Sequence, residues 1–304
     1  MSAELIALSN ALALAAERAA ASIVAVHAEA RGSSSGVHWR PGVIVTAEHT
    51  LRRDDEIRVT LPDGRIIPAT LVGRDPTTDL AVLRAGADAL ATAELAPAGP
   101  LKVGSLALVV GRTRESGPVA ALGVVSLVAG ERRTWAGGKL NPYARLDVGL
   151  QPTASGGAAV DAGGRVLGVA TPRFTRFGAL VIPNGVVNRV ADALLQRGHV
   201  PRGFIGVGLQ PVRLPEELRQ RLKLSAPGAV MVVELDSSGP AFQAGVLLGD
   251  ILVSLDGKPL AHLEDVQAHL DANSIGTSLR AQLIRGGALE DVNVPIAERP
   301  VRRS

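Results

Sequence analysis

The sequence contains no cysteine, and aromatic residues make up only 2% of its 304 residues. Without thiols, neither a disulfide framework nor a thiolate metal site can form, and the redox compartment is left open. The scarcity of aromatic side chains argues against binding of single-stranded nucleic acid, which uses them as stacking platforms. The net charge of +3 comes without a dense basic block, so no nucleic-acid partner is predicted.

A long apolar run is also absent. No uninterrupted apolar stretch reaches the roughly 18 residues that a membrane-spanning helix needs, so no membrane span is predicted. Residues 1–30 carry Glu4, Glu17 and Arg18 and have no basic segment ahead of an apolar run, which does not fit a signal peptide. On these grounds the protein is expected in the cytoplasm.

The composition is that of a globular protein, with 46% apolar and 20% charged residues. The chain is long enough for roughly two domains. Residues 4–21 have the apolar spacing of an amphipathic helix. Six short β-rich runs separated by turn signals follow within 22–84, and six more lie within 105–182, after an Ala/Pro-rich connection at 85–100. Two sets of six short strands predict a pair of β-barrels.

The last third of the chain has a different pattern. A helix predicted at 183–197 and a linker at 198–203 lead into it, and further helices are predicted at 214–222 and 263–272. Five strands are predicted between and after these helices, at 204–210, 229–234, 250–255, 278–285 and 290–296. This alternation is typical of a small α+β module.

Three residues carry the chemistry that the sequence suggests. Ser155 precedes two glycines, and such a turn can expose a hydroxyl where a substrate carbonyl can approach. His49 follows the end of an apolar strand, and Asp79 opens another strand, where a carboxylate can fix a histidine tautomer. A Ser-Gly-Gly sequence is equally at home in a hairpin turn, and Asp79 could be a simple strand-start cap. The other five histidines lie in helix, strand or linker contexts and are interpreted as structural.

The order His49, Asp79, Ser155, within Thr-Ala-Glu-His, Asp-Leu-Ala-Val-Leu and Ser-Gly-Gly, resembles the chymotrypsin-like double-barrel serine proteases, most closely the HtrA/Deg family. The resemblance implies that Ser155 is the nucleophile, His49 the general base and Asp79 the residue that orients the imidazole. It also implies an oxyanion hole made by the backbone N–H groups of Thr153 and Ser155. The implied primary pocket has no charged lining and suits a small or medium aliphatic side chain; its residues are Gly149, Leu150 and Val181.

A second resemblance lies in the last third. Residues 239–252 and 256–260 are similar to a PDZ signature, and Arg202 to Val207 resembles the family's carboxylate-binding loop. A PDZ domain binds the C-terminus of a peptide as an added strand, here beside 206–210. The residues expected in that groove are Phe204, Ile205, Gly206, Val207, Leu263, Val266 and Leu270. The last three are explained equally well by core packing.

The predicted fold is therefore mainly β: a double six-stranded, chymotrypsin-like barrel followed by a small α+β PDZ domain. The division is an N-terminal helical segment at 1–20, a trypsin-like protease domain at 21–198 and a PDZ domain at 203–298. The resemblance implies endopeptidase activity on unfolded or misfolded proteins without a metal or organic cofactor. It also implies a homotrimer, and a bacterial periplasmic or envelope location if the true start lies upstream.

One residue departs from the family pattern and supports an alternative function. Thr153 stands where the family has glycine, two residues before the nucleophile. That glycine lets an amide turn into the oxyanion hole, whereas a β-branched residue strongly disfavours positive φ. The alternative is a protease-like scaffold with little or no turnover that binds peptides or client proteins through its PDZ domain.

Overall fold

The structure is a computed structural model that describes residues 2–28, 32–86, 90–97, 101–115, 117–134 and 138–300. Met1, in the predicted N-terminal segment, and parts of the predicted connection at 85–100 lie outside the described residues. The chain divides into two compact units, Met1–Val200 and Pro201–Ser304. Among the described helices, none combines the length and the apolar character needed to cross a bilayer.

The first unit opens with helix α1, Ala3–Ala20. The Ser2 hydroxyl caps it by accepting a hydrogen bond from the Leu5 N–H group, a polar start that satisfies one of the free amides of the first turn. Small residues near its end, including Ala15 and Ala19, are buried. They let the helix pack closely against strands of the second barrel.

The first barrel is closed in the order β1-β2-β3-β6-β5-β4. Its strands are β1 (Ile23–His27), β2 (Ser34–Arg40), β3 (Val43–Ala47), β4 (Arg58–Thr60), β5 (Ile66–Asp75) and β6 (Leu80–Ala85). Alternate residues face opposite sides of a strand. Ile44 and Leu83 are paired across β3 and β6 and fill the barrel interior, whereas their neighbours Val45 and Val82 belong to the large hydrophobic cluster that the two barrels share.

Two histidines of this barrel have structural contacts. His38 is completely buried; its Nδ1 lies 3.1 Å from the Ala91 carbonyl oxygen, and its Nε2 accepts a hydrogen bond from the Gly42 N–H at 3.2 Å. The Nε2 of His27 lies 2.7 Å from the Thr60 hydroxyl. Burial lowers the pKa of His27.

The second barrel is closed in the order β11-β14-β13-β12-β7-β8. Its strands are β7 (Leu106–Thr113), β8 (Gly117–Ala129), β11 (Tyr143–Asp147), β12 (Ala158–Asp161), β13 (Val166–Thr171) and β14 (Ala179–Pro183). A short pair that the sequence did not predict, β9 (Arg132–Arg133) with β10 (Lys139–Leu140), lies between β8 and β11. Helix α2, Asn184–Arg197, ends at Gly198 in the left-handed region and packs against both barrels. All six predicted strands of each set are present.

The second unit is a sheet in the order β16-β17-β18-β20-β21, with β19 beside β18 and a separate pair of β15 and β22. The strands are β15 (Gly203–Phe204), β16 (Val207–Arg213), β17 (Gly228–Leu235), β18 (Ile251–Leu255), β19 (Lys258–Pro259), β20 (Ser278–Arg285), β21 (Ala288–Pro295) and β22 (Ala297–Glu298). The helices are α3 (Glu216–Leu222), α4 (Pro240–Gln243) and α5 (Leu263–Gln267).

Helix α5 is shorter than the helix predicted at 263–272. The N–H groups of His269 and Leu270 donate to carbonyls three residues earlier, at 3.0 and 3.2 Å, so the chain tightens into 3₁₀-type turns after Gln267. The Leu270 carbonyl then accepts a hydrogen bond from Gly203 at 3.1 Å. This contact brings the end of the helical region beside the start of the unit.

Candidate active site

His49 and Asp79 meet at one end of the first barrel, because β3 and β6 pair as neighbours with Ala47 opposite Leu80. His49 lies in a 3₁₀ turn, and its Nδ1 is 2.8 Å from Asp79 Oδ2 and 3.0 Å from Oδ1. The His49 backbone N–H donates to Asp79 Oδ1 at 2.9 Å. Asp79 has φ +59°, a conformation that aspartate tolerates better than most residues.

The Asp79 carboxylate is completely buried and is held from a second side by the other barrel. The Thr171 hydroxyl, at the end of β13, donates to Asp79 Oδ2. A buried carboxylate needs such partners, because an unpaired charge in the interior is costly. Both oxygens of Asp79 therefore face hydrogen-bond donors, and its orientation is fixed.

Ser155 completes the group from the second barrel. Its Oγ lies 3.3 Å from His49 Nε2, although the two residues are 106 positions apart. The Ser155 carbonyl accepts a hydrogen bond from the Ser35 N–H at 3.0 Å. Gly156 has φ +81°, and a Cβ on it would lie 2.4 Å from the Ser35 carbonyl oxygen, so glycine is required directly after the serine.

An ion-pair group lies against the histidine and was not predicted from the sequence. Glu48, which is largely buried, pairs with Arg173 at 2.9 Å and with Arg74 at 3.4 Å. The Arg173 Nη1 is also 3.6 Å from Asp79 Oδ1. Positive charge beside the buried aspartate offsets part of the cost of burying its negative charge.

The loop before Ser155 adopts a closed turn. Residues Pro152–Ala154 form a 3₁₀ turn in which the Ser155 N–H donates to the Pro152 carbonyl at 3.1 Å. The Ser35 hydroxyl donates to the Thr153 carbonyl at 2.6 Å. Thr153, in the middle of this turn, has negative φ.

This geometry differs from the expected oxyanion hole. The Ser155 N–H group, which was expected to face the substrate oxygen, is hydrogen-bonded within the loop. The physical reason lies at Thr153, since an L-residue with a branched Cβ favours the negative φ of the turn. The Thr153 hydroxyl is buried in this turn without a hydrogen-bond partner.

The expected primary-pocket residues differ in how exposed they are. Gly149 is exposed, and Leu150 packs against the interior cluster of the second barrel. Val181 belongs to that cluster and is only 1% exposed. Its inward direction follows from strand alternation, because Leu180 and Ile182 on either side face the cluster between the barrels.

Among the described residues, no group of three or more His, Asp or Glu side chains is arranged to hold a metal ion. The His–Asp–Ser arrangement is that of nucleophilic acyl transfer, with a hydroxyl beside an imidazole that a carboxylate orients.

Comparisons with known proteins find two kinds of domain in this chain. Sequence models of two families match, the trypsin-like peptidase domain over residues 34–169 and the PDZ domain over residues 203–296. A serine endoprotease from Yersinia pestis has a similar structure, with a TM-score of 0.75, 26% identity and coverage of 95% of this chain and 98% of that one. The HtrA-type protease AlgW with a tripeptide gives a TM-score of 0.74 at 26% identity, covering 95% of this chain and 98% of its own. The chain therefore combines a trypsin-like peptidase domain with a PDZ domain and is similar over nearly its whole length to HtrA-type proteases.

Two curated relatives of this chain carry the same name. Two proteins named probable periplasmic serine endoprotease DegP-like, from Pseudomonas fulva and Halomonas elongata, are each 32% identical over 90% of this chain. The matched part is 57% and 58% of the length of those relatives, so this chain spans less than two thirds of them. Their names do not support the cytoplasmic expectation.

The residues predicted to form a peptide groove lie in the second unit, near β16 and α5. Strand β16 is the terminal strand of its sheet, and α5 packs beside it. Phe204, Val207, Leu263 and Leu270 are half-buried, whereas Ile205, Gly206 and Val266 are buried. Val266 is 3% exposed within the core, so it serves as core packing. Leu209 on β16 is a half-buried residue of the same cluster that the sequence interpretation did not single out.

Proposed function

We propose that this chain is a serine endopeptidase of the HtrA/Deg kind that cleaves unfolded or misfolded proteins. The observation that carries the proposal is the chain of contacts from Asp79 through His49 to Ser155, with 2.8 Å from Oδ2 to Nδ1 and 3.3 Å from Nε2 to Oγ. Both distances are within the reach that such groups have before substrate binds.

In the proposed mechanism, Ser155 Oγ attacks the scissile carbonyl while its proton passes to His49 Nε2. Asp79 holds the Nδ1–H group and stabilises the imidazolium that forms. His49 then gives the proton to the leaving amine, and an acyl group remains on Ser155. A water molecule, deprotonated by His49 Nε2, attacks the acyl carbon, and return of the proton to Ser155 Oγ frees the product acid.

Turnover requires the loop before Ser155 to open. The Ser155 N–H must leave the Pro152 carbonyl, and the Thr153 N–H must turn toward the substrate oxygen. Removing one such donor lowers kcat by about 10²–10³-fold. The closed turn is therefore a resting form of low activity. Gly149, Leu150 and Val181 are proposed to line a primary pocket for an aliphatic side chain.

The second unit is proposed to bind peptide C-termini. The free edge of β16 offers backbone groups to an added strand, and the loop of Phe204 to Val207 offers amides to a terminal carboxylate. Titration of fluorescent peptides into the full chain tests this assignment. Amidation of the peptide C-terminus is expected to abolish binding, and unchanged affinity would exclude the groove.

The remaining expectations stay part of the proposal. The boundaries 1–20, 21–198 and 203–298 are proposed as the helical segment, protease domain and PDZ domain. A homotrimer is proposed from family precedent, and sedimentation showing a monomer at micromolar concentrations would remove it. The names of the relatives favour the bacterial periplasm as the compartment.

Casein degradation tests the proposed activity. The native chain is expected to degrade casein, and Ser155→Ala is expected to lose this activity. Equal rates in the two proteins would exclude a mechanism through Ser155.

A second candidate function is a peptide-binding scaffold with little turnover. The observation that favours it is Thr153 within the closed turn, where the Ser155 N–H is bonded to Pro152 at 3.1 Å. Casein degradation by Thr153→Gly but not by the native chain would support the scaffold, because the triad would then be intact but blocked by residue 153.

A further inference from the structure

A cavity of about 480 Å³ lies on the outer face of the second barrel, next to the triad. Tyr143 and Arg145 on β11 line it; they alternate with residues that face the barrel interior. The connection from β13 to β14 forms the opposite side, with Arg173, Arg176 and Phe177. Arg173 links the cavity to the triad, since its guanidinium lies 3.6 Å from Asp79 Oδ1.

The cavity carries excess positive charge. Three arginines line it and no aspartate or glutamate does. The charge of Arg173 is matched by Glu48 at 2.9 Å. Within the described part of the chain, Arg145 and Arg176 form no ion pair. Asp147, two residues beyond Arg145 on the same face of β11, does not line the cavity.

An aromatic ring stands at the same place. Phe177 is 82% exposed, yet its loop is ordered by local contacts. The Thr175 hydroxyl donates to the Phe177 carbonyl at 2.7 Å, and a Cβ on Gly178 would lie 2.1 Å from the Leu146 carbonyl oxygen. The ring is therefore presented to solvent by a fixed backbone, and a partner that covers it removes apolar surface from water.

We propose that this cavity is a subsite for an acidic side chain of the substrate. Arg145 and Arg176 bind the carboxylate, for which the planar guanidinium is well shaped, and Phe177 covers the aliphatic part of the same side chain. This inference rests on the proposed function, because the substrate must also reach Ser155. An extended peptide advances about 3.3 Å per residue, so a scan of about four residues on either side of the scissile bond covers roughly 13 Å in each direction.

Kinetics with matched peptides test the subsite in the full chain. Quenched fluorogenic peptides carry valine directly before the scissile bond and glutamate at one of the other positions within four residues of that bond. Each is compared with the peptide that has glutamine at the same position. All are amidated, so that terminal-carboxylate recognition by the second unit does not contribute. We expect glutamate to raise kcat/KM about tenfold at one position, as a hydrogen bond to a charged group does.

Reversing the charge of the cavity arginines tests whether they cause the preference for glutamate. Arg145→Glu and Arg176→Glu are expected to abolish the preference for glutamate, and Arg176→Glu is expected to favour a lysine peptide at the same position. Arg84→Glu, an exposed arginine of the first barrel that does not line the cavity, is the matched control and should keep the preference. Thermal unfolding confirms that each variant is folded.

Binding to the Ser155→Ala chain, followed by fluorescence anisotropy, gives a readout that does not depend on turnover. If the glutamate peptide binds more tightly than the glutamine peptide and Arg176→Glu abolishes this difference, the result supports the subsite. It does so even if the native chain cleaves no peptide and the proposed activity fails. Equal binding of the glutamate and glutamine peptides at every position overturns the proposal. A glutamate preference that survives both charge reversals overturns it as well.

Discussion

Replacing Thr153 by glycine is expected to activate the chain. In the closed turn the Ser155 N–H is bonded to Pro152 at 3.1 Å and Thr153 has negative φ. We expect opening of the oxyanion hole to carry residue 153 into the left-handed region. Glycine enters that region freely, whereas a residue with a Cβ does not.

The structure and known backbone energetics set the magnitude. An L-residue in the left-handed region costs about 1–2 kcal/mol. A difference of 1.4 kcal/mol is about tenfold in an equilibrium, so the open form of Thr153→Gly is about 5- to 30-fold more populated. Because the closed form lacks an oxyanion donor, which is worth about 10²–10³-fold, the rate follows the open population and rises by the same factor.

The assay is the second-order rate of labelling by a fluorophosphonate, followed by intact mass, together with kcat/KM for one fluorogenic peptide. Thr153→Ala keeps a Cβ and should fall between threonine and glycine. Gln151→Gly places a glycine at an exposed position before the turn and should label as slowly as the native chain. The reasoning is refuted if Thr153→Gly labels no faster than the native chain, or if Gln151→Gly accelerates labelling equally.

Three further predictions concern other contacts. Thr171→Val removes a donor to the buried Asp79 carboxylate and should lower kcat/KM by about tenfold or more, while Thr171→Ser keeps the bond; equal rates would remove Thr171 from the account. Arg285→Ala leaves the Asp250 carboxylate, 2% exposed, without its 2.6 Å ion pair. Unfolding of the second unit should become easier by about 2 kcal/mol, and an unchanged urea midpoint would contradict this. Burial lowers the pKa of His27 from 6.5, so the stability tied to its neutral form is complete above pH 6.5 and is lost as pH falls through the lowered pKa. His27→Gln should flatten this part of the stability curve, and an identical curve would rule out His27.

Much of the fold was predictable because strand alternation and turn residues are local signals. The runs that became β3 and β6 are apolar on both faces, and their pairing brings His49 to Asp79. The pairing of Glu48 with Arg173 spans 125 positions, so no local pattern indicates it. Short or irregular elements, such as the four-residue helix α4, lack enough periodicity to be recognised.

The closed turn before Ser155 could not be predicted from the sequence for a different reason. The sequence indicates that Thr153 disfavours positive φ, but the hydrogen bond of Ser155 to Pro152 depends on how Ser35 holds the loop from the first barrel. The burial of Val181 likewise follows from which face of β14 turns inward. Both features depend on strand register and on contacts between residues far apart in the sequence, which cannot be read from composition or spacing.

Intact mass after incubation with a fluorophosphonate tests the central claim most directly. The native chain should gain one adduct, Ser155→Ala should gain none, and His49→Ala should react far more slowly. An adduct that persists in Ser155→Ala, or no adduct in either the native chain or Thr153→Gly, would contradict an assembled Ser–His–Asp triad.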